Sequence, residues 1–210
     1  MFSALSKYIN ILPIDSIPIE RKKVLAVLVE YLKQKQASNQ AILLNFICTH
    51  NSRRSHLAQV WAQTMANYFK VSNVWCYSSG TEATALYPMV LQTLKKAGFQ
   101  NDRLVEGSNP IYTIKYADNE PAIIGFSKNL DHSFNPKSAF AAIVTCSEAD
   151  KACPFITGAD LRIPIRYEDP KAFDNSEDRA EKYEERSRQI ATEMAFVFST
   201  FQIALNYNEK

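Results

Sequence analysis

Cysteine is scarce in this chain: four residues in 210 are too few for a disulfide scaffold. Histidine is scarcer, with only His50, His56 and His132, scattered and without paired Cys-x-x-Cys neighbours. No zinc site or other catalytic metal is therefore expected. No apolar run approaches the roughly 20 residues that span a bilayer. The start, Met1 to Asn10, has no basic segment followed by an apolar core. Neither a membrane nor a secretory route is indicated, and the cytoplasm is the expected compartment. A net charge of +2, with no basic block and no interleaving of basic and aromatic residues, gives no sign of a nucleic-acid partner. Internal repeats and low-complexity tracts are absent. What remains, 46% hydrophobic and 22% charged residues, suits a soluble globular protein able to bury a full core.

In a reducing compartment, where so few cysteines stand matters more than how many there are. Cys48 opens the run Cys48-Thr49-His50-Asn51-Ser52-Arg53-Arg54-Ser55. An apolar stretch, Ala41 to Ile47, leads in, and a helical pattern, His56 to Phe69, leads out. A strand that delivers a cysteine to a tight loop opening a helix is suited to a tetrahedral oxyanion. The loop N–H groups and the helix N-terminus supply positive potential, and Arg54 can fork two hydrogen bonds onto the anion. The same field favours thiolate over thiol and makes Cys48 the candidate nucleophile. Asn51 and Ser52 are short polar residues that shape turns by bonding backbone. Ser55 either caps the helix or bonds the Cys48 sulfur. Arg53 either adds a charge near the anion or points to solvent, and the second is favoured because adjacent side chains rarely converge on one small ligand. The bland alternative for the whole run is a buried structural thiol beside a surface arginine.

The organisation is an alternation of strands and helices. Residues 1–40 read as a helical extension: a loose apolar lead punctuated by Pro13 and Pro18, then an amphipathic helix over 19–35. From 41 to 210 strands are expected at 41–47, 74–78, 111–116, 122–127, 139–145 and 161–165. Helices are expected at 56–69, 85–97 (ended by Gly98) and 176–204. Such alternation predicts an α/β three-layer sandwich with a central, mostly parallel sheet. Ligands of such sheets bind at the carboxyl ends of the strands. Cys48 and Cys146 each follow a predicted strand, so both are expected at one rim. Cys76 reads as a core residue without a role.

The Cys48–Ser55 run resembles the phosphate-binding loop shared by low-molecular-weight protein tyrosine phosphatases and thioredoxin-coupled arsenate reductases. Val144 to Pro154 is similar to the redox segment of the arsenate reductases, with Cys146 and Cys153 seven residues apart and a proline following. Tyr167-Glu168-Asp169-Pro170 resembles the Asp-Pro that supplies the general acid in both branches, with Glu168 the substitute if the register is off by one. The match covers about residues 41–205, and its three motifs stand in the family's order. It implies an arsenate reductase needing no organic cofactor. Cys48 attacks arsenate, Asp169 protonates the departing oxygen, Cys146 attacks the Cys48 adduct, and Cys153 takes over the disulfide for a thioredoxin-type reductant. The alternatives are a phosphatase acting through a phosphocysteine, with Cys146 and Cys153 regulatory, and a non-catalytic oxyanion binder.

One expectation rests on geometry. A disulfide needs Cα atoms about 4.4–6.8 Å apart, whereas seven helical residues would separate Cys146 and Cys153 by roughly 10 Å. Residues 147–153 are therefore expected to change conformation with redox state. Two departures from the family pattern stand out. His50 occupies a loop position that is glycine in many relatives, where a left-handed backbone would be costly. Residues 107–137 read as an insertion, a lid or an interface.

Overall fold

The computed structural model describes residues 1–152 and 155–208. Cys153 and Pro154, part of the expected redox segment, lie outside the described residues. Four strands, β1 (Ile42–Cys48), β2 (Val74–Gly80), β6 (Phe140–Val144) and β7 (Ala159–Pro164), form a parallel sheet in the order β2-β1-β6-β7. The remaining strands, β3 (Gln100–Val105), β4 (Ile111–Lys115) and β5 (Ile123–Gly125), make a separate antiparallel sheet. The helices are α1 (Ser3–Asn10), α2 (Ile19–Ala37), α3 (Arg54–Tyr68), α4 (Pro88–Ala97), α5 (Ser147–Ala152) and α6 (Arg179–Asn208).

Alternation along β1 explains the layers, because successive side chains leave opposite faces of a strand. Ile42, Leu44 and Phe46 enter the main apolar cluster, which also holds Leu28 of α2, Trp61 of α3 and Phe198 of α6. Ile47 enters a smaller cluster with Cys48, Phe140, Ala142, Val144, Cys146, Ala149 and Ile156. The sheet thus has a thick helical side and a thin side closed by α5. This is the expected three-layer α/β architecture.

Several elements differ from the sequence expectation. The lead before Pro13 is helical, and Leu5 and Ile9 of α1 join Leu25, Leu28 and Leu32 of α2 in the main cluster. Strand β3 was not foreseen, since its residues are mostly exposed and carry no apolar alternation. Gly98 adopts φ 108° as the left-handed cap of α4, as expected. The 107–137 stretch supplies β4 and β5 and then runs beside the end of β2. There Gly80 N–H donates to Lys128 O at 2.9 Å and Leu130 N–H to Gly80 O at 3.1 Å.

Candidate active site

Parallel pairing sets the site. Ile47 of β1 is in register with Val144 of β6, so both strands end at one rim and release Cys48 and Cys146 there. Thr145 tightens the junction: its N–H and its hydroxyl both donate to Ile47 O, at 2.7 and 2.8 Å. Cys48 and Cys146 are both buried and both free thiols. Thr49 Oγ1 lies 3.5 Å from the Cys146 sulfur, and Ala149 N–H donates to that sulfur at 3.4 Å. The loop and the second cysteine are therefore in direct contact.

The loop's carbonyls are all engaged by the surrounding protein. Cys48 O accepts from Thr81 N–H, and Thr49 O from Glu82 N–H and the Thr81 hydroxyl. His50 O accepts from the hydroxyls of Thr84 and Ser127, and Asn51 O from His56 Nε2. Ser52 O takes Tyr87 N–H, and Arg53 O takes Leu57 N–H. In a trans peptide the next N–H points opposite to the carbonyl. Among the described residues the N–H groups of Thr49 to Arg53 meet no protein acceptor. A run of amides facing away from bound carbonyls, ahead of the α3 N-terminus, is an anion nest.

The left-handed residue of this loop is Asn51, with φ 43°, and not His50. Asparagine tolerates that region well, so the histidine in place of glycine carries no backbone strain. Asn51 is held on three sides. Its Oδ1 accepts Lys128 N–H at 2.9 Å, its Nδ2 donates to Ser55 Oγ at 2.9 Å, and its carbonyl takes His56. Ser55 Oγ is 3.1 Å from the Cys48 sulfur. No side chain caps α3, so Ser55 takes the sulfur-bonding arrangement of the two considered.

The two arginines diverge. Arg54, itself buried, donates to Tyr167 O at 3.0 Å and to Asp169 Oδ2 at 2.5 Å. Asp169 reaches the rim because Tyr167 N–H donates to Thr145 O at 3.0 Å, and its Oδ1 is turned back onto Lys171 N–H. Arg53 does not point to solvent, as had been expected. It bonds the Tyr183 hydroxyl at 2.5 Å, pairs with Asp174 and stacks over the Tyr87 ring at 4.2 Å. It anchors the loop to α6 and the turn before it. His50 is half-exposed beside Glu82, Nε2 to Oε2 3.5 Å. Cys76 lies in the main cluster, where burial pushes its thiol pKa up, in keeping with an unreactive core residue.

Sequence reasoning missed the support beneath the loop. His56 is completely buried and held neutral: burial first, then the nearby Lys128 charge, lower its pKa to about 3. Lys128 is buried as well, and desolvation lowers its pKa to about 7. Gly80 ends β2 against the loop: a Cβ there would lie 2.3 Å from Glu82 O and 2.7 Å from Asn51 N and Thr49 O. Gly80, just past the strand expected at 74–78, is the kind of sequence signal that marks such a close backbone approach. Among the described residues no three His, Cys, Asp or Glu side chains converge as they would on a metal ion. No helix among them is long and apolar enough to cross a membrane. A groove of about 530 Å³ beside the exposed edge of β2, lined by Gln63, Trp75, Tyr116 and Phe134 among others, takes no residue from the loop.

No protein-family model matches the chain. An arsenate reductase of Staphylococcus epidermidis is 27% identical over 126 residues, 60% of this chain and 76% of the relative. Among solved structures, a low-molecular-weight phosphotyrosine phosphatase of Vibrio cholerae superposes with a TM-score of 0.53 at 14% identity, over 77% of this chain and 97% of the other. A YwlE variant from Bacillus subtilis gives 0.54 at 16% identity, over 76% and 98%. The resemblance read from the octapeptide is thus borne out. The chain has the low-molecular-weight phosphatase fold, and curated relatives of its sequence are named arsenate reductases.

Proposed function

We propose that this protein is an arsenate reductase in which Cys48 is the nucleophile and Cys146 and Cys153 complete a disulfide relay. The observation that carries the reading is the contact between loop and second cysteine, Thr49 Oγ1 to Cys146 Sγ at 3.5 Å, beside an amide nest that suits a tetrahedral dianion. The sequence similarity to arsenate reductases supports it.

The Cys48 thiolate, stabilised by the Ser55 hydroxyl at 3.1 Å, attacks arsenic(V) held by the loop amides and Arg54. Asp169, beside Arg54, gives a proton to the oxygen that leaves as water. The Cys146 thiolate then attacks the Cys48 sulfur. A sulfur–sulfur bond forms, the arsenic–sulfur pair passes to arsenic, and arsenite departs as arsenic(III). Cys153 attacks the Cys146 sulfur, freeing Cys48 and leaving a Cys146–Cys153 disulfide. A thioredoxin-type dithiol reduces it and returns two electrons.

A second reading, a phosphatase working through a Cys48 phosphocysteine, uses the same nest, Arg54 and Asp169. The fold shared with a phosphotyrosine phosphatase favours it. The test is arsenite formation from arsenate by the reduced protein, with and without a thioredoxin regeneration system. Multiple turnovers that need thioredoxin are expected. Hydrolysis of an aryl phosphate without any arsenite would overturn the reductase in favour of the phosphatase.

A further inference from the structure

Lys128 is 1% exposed, and among the described residues no carboxylate lies within ion-pair distance of it. A lysine taken out of water without a counter-charge is costly, and an apolar side chain of similar size would fill the space without that cost. Its ammonium is held instead by Phe126 O at 3.4 Å, by Ser78 Oγ at 3.5 Å, and over the rings of Phe126 and Phe134 at 4.6 and 5.5 Å.

Donor and acceptor roles along the bonds leaving Lys128 are determined at each step. Lys128 Nζ donates to Ser78 Oγ at 3.5 Å, the outer limit of a hydrogen bond. The Ser78 hydroxyl hydrogen is then directed at His56 Nδ1, 3.2 Å away. A carbonyl only accepts, so His56 Nε2 carries the hydrogen given to Asn51 O at 2.9 Å. His56 is therefore the neutral Nε2–H tautomer, which agrees with its lowered pKa. Asn51 passes the restraint on through Nδ2 to Ser55 Oγ, and Ser55 reaches the Cys48 sulfur. Lys128 grips Asn51 twice: its backbone N–H holds the side-chain Oδ1, and its ammonium, through Ser78 and His56, holds the main-chain carbonyl.

We propose that Lys128 is a positioning residue for the nucleophile, a buried amino group whose donation to Ser78 orients the hydrogen bonds running through Ser78, His56, Asn51 and Ser55 to Cys48. Asn51 is the one left-handed residue of the loop, so holding its two polar ends fixes which way the neighbouring amides face. In its protonated form Lys128 also adds positive potential behind the loop, which favours the thiolate and the bound anion. The titratable groups along this chain are Lys128, His56 and Cys48; Cys146 packs in the same cluster as Cys48, and Arg54 opens α3 just after the loop. The inference rests on the reading of Cys48 as a thiolate nucleophile.

The test compares the parent protein with Lys128→Met and Ser78→Ala. Iodoacetamide alkylation of Cys48 is followed by peptide mass spectrometry across pH, and inorganic phosphate is titrated for its protection of that cysteine. Lys128→Met is expected to melt no lower than the parent, since a buried and weakly bonded polar group is removed. Its alkylation midpoint should rise by about one pH unit and its phosphate affinity fall about tenfold. Ser78→Ala, which keeps the ammonium, should move both in the same direction by about threefold. A folded Lys128→Met with the parent's midpoint and affinity would overturn the inference. If Lys128→Met does not fold, an unchanged Ser78→Ala overturns it and the threefold loss supports it. A parent Cys48 that is neither alkylated near neutral pH nor protected by phosphate would instead overturn the nucleophile reading, and the inference with it.

Discussion

Arg54 Nη2 donates to Asp169 Oδ2 at 2.5 Å, which holds the anion clamp against the candidate proton donor across 115 residues of sequence. Under the proposed function one contact serves two ends: the guanidinium orients the carboxyl, and the carboxyl gives its proton to the leaving oxygen. Asp169→Asn keeps the shape and the Lys171 bond but removes the transferable proton. Its kcat on an aryl phosphate is expected to fall about 10²- to 10³-fold with little change in phosphate affinity. Arg54→Lys, which loses the fork, is expected to weaken phosphate binding at least tenfold as well. Steady-state kinetics and phosphate competition separate the two.

Gly80→Ala tests how closely β2 must approach the loop. The added methyl would meet three backbone atoms at 2.3 to 2.7 Å, none of which can swing aside as a flexible side chain would. The loop must shift. Activity is expected to drop more than tenfold with a lowered melting temperature, whereas alanine at Gly107, where nothing lies within 4 Å but φ is 135°, should cost some stability and leave the loop's activity unchanged.

His56 makes stability depend on acid. Its folded pKa, about 3, lies below the 6.5 of the unfolded chain, so the unfolded state binds the extra proton between those values. Stability is expected to fall as pH drops from about 6.5 to about 3. Lys128 acts in the same direction at higher pH. Its folded pKa near 7 lies below the ordinary 10.5, so its share of stability is complete only above 10.5 and is lost as pH falls to 7. Urea titrations of the parent and His56→Gln at pH 4 and pH 7 should show a smaller loss of midpoint for the variant.

Asp150 ties the short helix α5 to β7 and the segment after it through Arg162 and Arg166. The proposed Cys146–Cys153 disulfide needs Cα atoms about 4.4–6.8 Å apart, closer than the helical run 147–152 between them would allow, so α5 is expected to unwind on oxidation. Asp150→Ala is expected to raise amide exchange over 147–152 about tenfold while leaving aryl phosphate hydrolysis unchanged. Hydrogen exchange on reduced and oxidised protein provides the check. Identical exchange in both redox states would sink the idea of a redox-coupled rearrangement.

The central strands, the loop and the rim were legible because they depend on local pattern: a buried β1 run, a cysteine at its end, and polar turn residues before a helix. The cap at Gly98 was equally local. What could not be read depended on distant partners. Arg53 was expected in solvent because nothing nearby in sequence announces Asp174 and Tyr183, more than 120 residues away. The left-handed position was looked for at His50 because relatives carry glycine there, whereas it falls at Asn51, one residue on. Lys128 had no sequence signal at all, since a lysine in a polar-looking stretch reads as surface.

The two faces of the parallel sheet divide the protein's duties unequally. The thick face draws on helices from both ends of the chain, while the thin face holds both rim sulfurs within a cluster of eight buried residues. Damage to the thick side should register as less protein in the cell, and damage to the thin side as slower turnover of the protein that remains. The packing around the two sulfurs can therefore change through a handful of residues without renegotiating how the chain folds.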